Sequence, residues 1–519
     1  MGRVLTNNTS YSYTIETALG VAGTTWFLLE PNSIGTFGAN ITTVARNPIS
    51  RNRQRRKGTI TDLDSSVDFE EDMTISSFRD FIEGFVFVNG INTDVTDITS
   101  TAAETTTDSY AVAALTLAQA NKMEIDTLLW VTGFTTPANN GLKAVDADIG
   151  SGAVAITVAE NLTDEPSPPA NARLSFTGHR IATGDTPTWT WSSGNKQATL
   201  NETGIGTALQ ALGLTAGQMI HVGSIAASGD TTIVNAFENA AANDMFGYAR
   251  VVEFTDADNI IFDKVDTALQ FTDAVAPATA VDIMFGEFIR NVPTTHADFL
   301  ERSFQFEAEY PNLDTGGADM FQYALGNYCN TASFALPLTN KATIGFGFIG
   351  TDTEPPVSVG SRKSGASTAT DPVDTTAFNT TNDIARLRIT DVDEDGITTD
   401  FKSLTMTLNN NVSPEKVLGQ LGAKYMNTGN FDVDIESQLV FSNAAVIQKI
   451  RDNETVTMDF ILKNDEGVIG VDFPTLTLGG GGLELPVNES VLINTTGMAF
   501  QDEVLETSIG VSLFPIPLP

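Results

Sequence analysis

The chain has 519 residues, enough at roughly 100 to 200 per domain for three to four domains with real cores. Lysine plus arginine number 28 against 65 aspartate plus glutamate, a net charge of −37 that repels nucleic acid and anionic lipid and excludes a conventional DNA-binding reader. One cysteine, Cys329, excludes an intramolecular disulfide and a multi-thiolate metal site, and three histidines leave little imidazole for chemistry.

In chain order, the amino-terminal run lacks the apolar stretch of a secretory signal, and nothing approaches the ~18 apolar residues of a spanning helix. The expectation is a soluble chain made in the cytoplasm. The first charged feature is RNPISRNRQRRKG, where Arg46, Arg51, Arg53, Arg55, Arg56 and Lys57 sit with no acid among them. Six of 28 cations within twelve residues form a cluster, readable as a solvated loop, a phosphate patch or an arm that docks on acidic surface of another copy. Because the rest of the chain is so acidic, the arm is the reading we adopt.

From Asp62 to Met73 the even positions are Asp62, Asp64, Ser66, Asp68, Glu70 and Asp72, against Leu63, Val67, Phe69 and Met73. A strand here has one acidic and one apolar face. TISSFRDFIEGFVFV follows, with Ile75, Phe78, Phe81, Ile82 and Phe85 at helical spacing behind Thr74 as N-cap. Asn89 to Ser109 reads as a long loop. Between about Gly133 and Ala276 shorter strands separated by loops mark an inserted domain, 133–276, between first and second parts of a main β domain, 1–132 and 277–519. Within the insertion, TIVNAFENAA reads as a helix.

From Leu300 to Tyr310, Phe304, Phe306 and Ala308 oppose Glu301, Glu307 and Glu309. ADMFQYALGNY from Ala318 reads as a helix, Glu354 to Thr381 as a long loop, and Ser413 with Pro414 as a helix start. SLTMTLNNN, NFDVDIESQLVF and TVTMDFILK alternate as strands, the second opposing Asp432, Asp434 and Glu436 to Val433 and Ile435. SNAAVIQKIRD reads as a helix, and the glycines from Gly479 to Gly482 as a turn.

Motifs of chemistry are weak. Asp391, Asp393, Asp395 and Gly396 open like a calcium loop, but Lys402 stands where a bidentate glutamate is needed. His179, His221 and His296 lie amid strand or turn texture, and no serine has the G-x-S-x-G elbow around it. The reading is a non-enzymatic chain with no cofactor and no metal.

The run WFLLEPNSIGTFGANITTVARNPISRNRQRRKGTITDLDSSVDFEEDMTISSFRDFIEGFVF resembles the opening of major tail tube proteins of long, non-contractile-tailed (siphovirus-type) bacteriophages. The order carries the likeness: a Trp strand, a Pro-Asn turn, a basic loop, a Lys-Gly turn, an acidic-faced strand and a short Phe-rich helix. It continues in TGFTTPANNGLKAV, GHRIATGD, GQMIHVGS and the final GVSLFPIPLP. The resemblance implies a mainly β sandwich or barrel whose copies form stacked, commonly hexameric rings and conduct DNA. It also implies a tape-measure protein, a tail terminator and tail-tip proteins as partners, and a place in the virion tail.

On that reading the arm residues Arg46, Arg51, Arg53, Arg55, Arg56 and Lys57 lie between subunits or rings. The candidate faces toward the bore are Asp62, Asp64, Asp68, Glu70 and Asp72; Glu301, Glu307 and Glu309; and Asp432, Asp434 and Glu436. The inserted domain is placed outside, where it does not block the bore. The alternatives are an extracellular β-rich surface-layer or glycan-binding protein, which the missing secretion signal disfavours, and a glycosidase, for which no carboxylate pair emerges.

Overall fold

The computed structural model describes residues 4, 6–47, 49, 51, 56–225, 233–238, 243–271, 274–277, 280–311, 318–358, 362–363, 369–391, 396–398, 400–442 and 444–518. The chain is mainly β, with short helices and two large sheets.

The first sheet begins with a hairpin, Ser33–Ala45 against Gly58–Asp72. Antiparallel pairing then runs from the 58–72 strand through Thr343–Gly350, Met320–Leu336, Phe401–Asn409, Asp432–Val440 and Leu492–Ala499 to Val468–Glu484. Two strands are 17 residues long and serve more than one layer. The first half of the 320–336 strand pairs with Phe304–Tyr310 and Asp352–Ser358, and the first half of the 468–484 strand pairs with Thr455–Lys463 and Gly510–Phe514.

The apolar faces enclose a phenylalanine-rich core. Phe69, Phe81, Phe304, Phe306, Phe346 and Phe348 meet there, with Phe306 and Phe348 ring centroids 4.8 Å apart edge to face. The helix Arg79–Val86 drives Phe81 and Phe85 into it and ends where Phe87 turns left-handed at φ 53°. Its N-cap is Phe78, not Thr74, and no side chain caps it.

Gly84 on that helix is tightly confined, since a Cβ there would lie 2.4 Å from the fully buried Phe304 ring. Gly84→Ala gains about 1 kcal/mol of helix propensity but overpacks a ring that cannot swing aside, at about 1–3 kcal/mol. A net loss of stability is expected in urea unfolding, and a more stable variant would contradict this packing.

The second sheet has its own core around Trp189, Phe262, Phe176 and Phe285. That core draws on residues from Val95 to Phe285, wider than the 133–276 read from texture. The reason is pairing: Thr127–Thr132 and Ile98–Glu104 hydrogen-bond to the Arg173–Ile181 strand, so the Thr- and Ser-rich stretch read as a loop contributes a strand.

The two units meet at a buried ion network. Arg250 reaches Asp263 at 2.5 Å and, across the junction, Asp472 at 2.6 Å. Lys264 lies 3.4 Å from Asp472 and 3.6 Å from Asp459, whose carboxylate also takes Arg386 and Arg388. Arg386 returns to Asp266 at 2.9 Å.

Several local readings change. Residues 320–336 and 413–416 are strands rather than helices, and the described part of TIVNAFENAA forms the short strands Ile233–Val234 and Phe237–Glu238. The Gly479–Gly482 run lies within the 468–484 strand, with Gly480 and Gly481 at positive φ. There the helix Ala445–Asp452 lies close over the strand, Ile450 Cδ1 being 3.3 Å from where a Cβ of Gly481 would stand. This helix is where the sequence places one.

Candidate functional site

Alternation in the 58–72 strand is sustained: Leu63, Val67, Phe69 and Met73 are buried, while Asp62, Asp64, Ser66, Asp68, Glu70 and Asp72 are not. The same holds at 432–440, where Val433, Ile435 and Leu439 are buried and Asp432, Asp434 and Glu436 are exposed. Register puts both carboxylate sets on one face of one sheet. One lateral row reads Glu70, Gly345, Ser333, Thr407, Asp434, Met498 and Thr477. The next reads Asp72, Thr343, Ala335, Thr405, Glu436, Thr496 and Gly479.

Four inter-strand steps of ~4.8 Å separate the two acidic strands by roughly 19 Å. Between them the surface is made of glycine, alanine and small hydroxyls. The glycines keep it flat: a Cβ at Gly345 would lie 2.8 Å from Ser333 Oγ and one at Gly347 2.4 Å from Thr331 Oγ1, so those hydroxyls would have to turn aside. The result is a low-relief band bordered by carboxylates. Lysines meet this face at its ends: Lys416 Nζ is 2.5 Å from both Asp62 and Asp64, and Lys341 Nζ is 2.6 Å from Asp72. Those hydrogen bonds hold Asp62 below, and Lys416 above, their usual ranges.

Glu71 departs from the apolar side of its strand. It is 5 % exposed, its Oε1 has no hydrogen-bond partner, and burial, with the neighbouring Asp72 charge, pushes its pKa up to about 8. The unfolded chain releases this proton near 4.5, so the native state holds more protons between the two values and its stability falls as pH rises from about 4.5 to about 8. Glu71→Gln is expected to flatten that slope and to stabilise the protein at pH 8, measured by denaturant titration across pH.

The third acidic set is not brought to this face. The 304–310 strand pairs with the other half of the 320–336 strand and with Ser10–Ile15. Glu301 is exposed and Glu309 half-buried, but Glu307 is fully buried, accepting hydrogen bonds from Tyr323 at 2.8 Å and from Arg362 at 2.6 Å. Glu307 is therefore corrected from a surface carboxylate to an interior one, enclosed because its strand lies between two others and Arg362 closes over it.

The basic cluster forms the connection of the 33–45 and 58–72 hairpin. Residues 39–47 are all exposed, as are Arg51, Arg56 and Lys57, so the hairpin stands clear of the core. Ile41, Val44 and Ile60 are about half exposed on it, at 50, 56 and 52 %. Arg46, Arg51, Arg56 and Lys57 form no ion pair with another described residue; Arg53 and Arg55 lie outside the described residues.

Other candidates are less organised. Residues 392–395 and 399 of the calcium-like run lie outside the described residues, and among the described residues no His, Cys, Asp and Glu group is arranged to hold a metal. His221 is fully buried, with Nδ1 2.5 Å from the Gly223 carbonyl oxygen. Among the described residues no helix is long and apolar enough to cross a membrane. The sequence reading missed the central Gly and Thr band; its signal was the alternation of Thr405 and Thr407 with Leu404, Met406 and Leu408, which reads as a strand but not as a shared surface.

Comparison with curated proteins finds no match. Over residues 263–495, which include the 432–440 acidic strand and most of the Gly and Thr band, the chain matches the family described as phage tail tube protein, and the match supports a structural role in the tail of a phage virion.

Proposed function

We propose that this chain is the repeating subunit of a long, non-contractile phage tail tube, in which copies join into stacked hexameric rings and the acidic face lines the bore that conducts DNA during ejection. The observation that carries this is the lateral register of Asp68, Glu70 and Asp72 with Asp432, Asp434 and Glu436 across a band of small side chains. Phosphates passing within about a Debye length, roughly 10 Å at 0.1 M salt, meet like charge and little relief to catch on.

Edges give the second support. The outer side of the 33–45 strand, and the 478–484 part of the strand beyond its Thr477 pairing, pair with no further strand among the described residues. Closing such a sheet through neighbouring copies removes the exposed edges that a β protein must otherwise protect. A ring of six copies also multiplies a net charge of −37, and the basic hairpin tip with exposed Ile41, Val44 and Ile60 supplies charge and apolar area to offset that repulsion at the contact between copies. The inserted unit lies outside the wall, and the tape-measure, terminator and tip proteins contact the rings.

Electron microscopy of the purified chain tests this directly. The expected result is regular tubes whose reconstruction places Asp434 and Glu436 on the bore; dispersed monomers, or a bore lined by arginine and lysine, would overturn it.

A further inference from the structure

The sheet that carries the acidic face ends in two exposed turns. One is the basic tip between Ala45 and Gly58, at the edge made by the 33–45 strand. The other lies at the edge made by the 468–484 strand, where the chain turns between Glu484 and Leu492, which pair with each other. Asn488 is left-handed there at φ 66°, and residues 482–485 and 487–490 are all exposed.

Register sets the two turns at diagonally opposite corners of the sheet. From the row of Asp72, Thr343, Ala335, Thr405, Glu436, Thr496 and Gly479, the 58–72 strand runs one way to the basic tip and the 468–484 strand runs the other way to Glu484. The 58–72 strand alone is 15 residues, roughly 50 Å, so the two corners of a single copy cannot touch.

The corners are complementary in charge and alike in apolar exposure. The basic tip brings six cations with exposed Ile41, Val44 and Ile60. The far turn brings Glu484 and Glu489 with no cation from Leu483 to Leu492, and Leu483, Leu485 and Val487 are 47, 74 and 86 % exposed. Glu484 accepts from neutral amides, Asn494 Nδ2 at 2.6 Å and Gln438 Nε2 at 3.5 Å, which orient its charge without cancelling it. The neighbouring 445–452 helix and the residues after it add Lys449 and Arg451 but also Asp452 and Glu454, so this corner stays net negative. Aliphatic side chains grouped on a turn that stands in solvent mark a contact surface.

We infer that the basic tip of one copy docks on the 484–491 turn of a second copy, cations on Glu484 and Glu489 and aliphatic side chains against one another. The inference deepens the tube reading and rests on it in taking a second copy as the partner. Because the two surfaces differ, the contact is head-to-tail, and it leaves an unoccupied tip at one end of the assembly and an unoccupied turn at the other. Diagonal placement sends each contact both along the strands and across to the next edge, so stacking and lateral order are set by the same docking.

Carbodiimide, which joins an ammonium to a carboxylate it touches, applied to the full chain and followed by peptide mass mapping and electron microscopy, tests it. The expected result is tubes in which Lys57 is joined to Glu484 or Glu489, a link that the distance within one copy forbids. Glu489→Lys, alone and with Glu484→Lys, is expected to raise the concentration at which assemblies sediment, about tenfold or more for the pair, with an unchanged unfolding midpoint. Tubes in which Lys57 is joined to Asp434 or Glu436 instead, or to nothing, would overturn the docking and leave the tube standing. The Lys57 link to Glu484 or Glu489 in assemblies that are not tubes would keep the docking and remove the tube. Neither link nor assembly would remove both, and an unchanged assembly concentration in the two folded variants would overturn the docking by itself.

Discussion

Reversing Arg51, Arg56 and Lys57 to glutamate is expected to stop tube growth while leaving the monomer folded. These side chains are exposed at the tip of a projecting hairpin and make no ion pair with described residues, so the fold does not depend on them. Surface substitutions of that kind usually change stability by no more than about 0.5 kcal/mol. Assembly is different, because each exposed opposite-charge contact contributes only about 0.2–1 kcal/mol, but every subunit repeats the set and reversal turns each attraction into a repulsion. Outside the cluster the chain has only 22 cations for 65 anions, so added glutamates at the tip find almost nothing to pair with. Sedimentation and electron microscopy would show monomers with an unchanged unfolding midpoint; tubes of normal length would refute the role given to the hairpin.

Asp459→Asn is expected to be the most destabilising single substitution at the junction of the two units. Asp459 is fully buried and is the common partner of Arg386, Arg388 and Lys264. Removing one member of a buried network leaves the others charged and unpaired, a loss of about 3–5 kcal/mol, whereas the network's own net contribution is small. Although burial alone would raise its pKa, the surrounding cations hold the Asp459 carboxyl well below the usual 3.8. A depressed folded value contributes stability that is present above the unfolded value and is lost as pH falls from about 4 toward the lower folded one. The native protein is therefore expected to lose stability steeply below pH ~4, and Asp459→Asn to start lower and show a shallower acid slope in denaturant titrations. Equal acid slopes would contradict the assignment.

Much of the acidic face was legible because a strand with one wet side writes its alternation into the sequence, as Asp62 to Met73 and Asp432 to Val440 do. Where a strand is enclosed on both sides that signal vanishes. Met320 to Leu336 carries Phe321, Tyr323, Ala324 and Leu325 without a clean period of two, and its helix-forming residues are overridden by pairing with strands on either side. Glu307 alternates like its neighbours, but its fate depends on Arg362, 55 residues away, which no local pattern reveals. The boundary near Gly133 misled for a similar reason: the 127–132 strand is indistinguishable from one of the first unit until its partner, 173–181, is known. Ser413 with Pro414 has the chemistry of a helix start, yet it opens a hairpin closed by Ala423–Asn427.

The 320–336 strand has a further consequence. Because one continuous backbone supplies hydrogen bonds to the 304–310 and 352–358 strands at one end and to the 343–350 and 401–409 strands at the other, neither region can open without disturbing its neighbour. Amide protons along Tyr323 to Phe334 should then exchange with solvent only as slowly as the whole first unit unfolds, as one cooperative block rather than two.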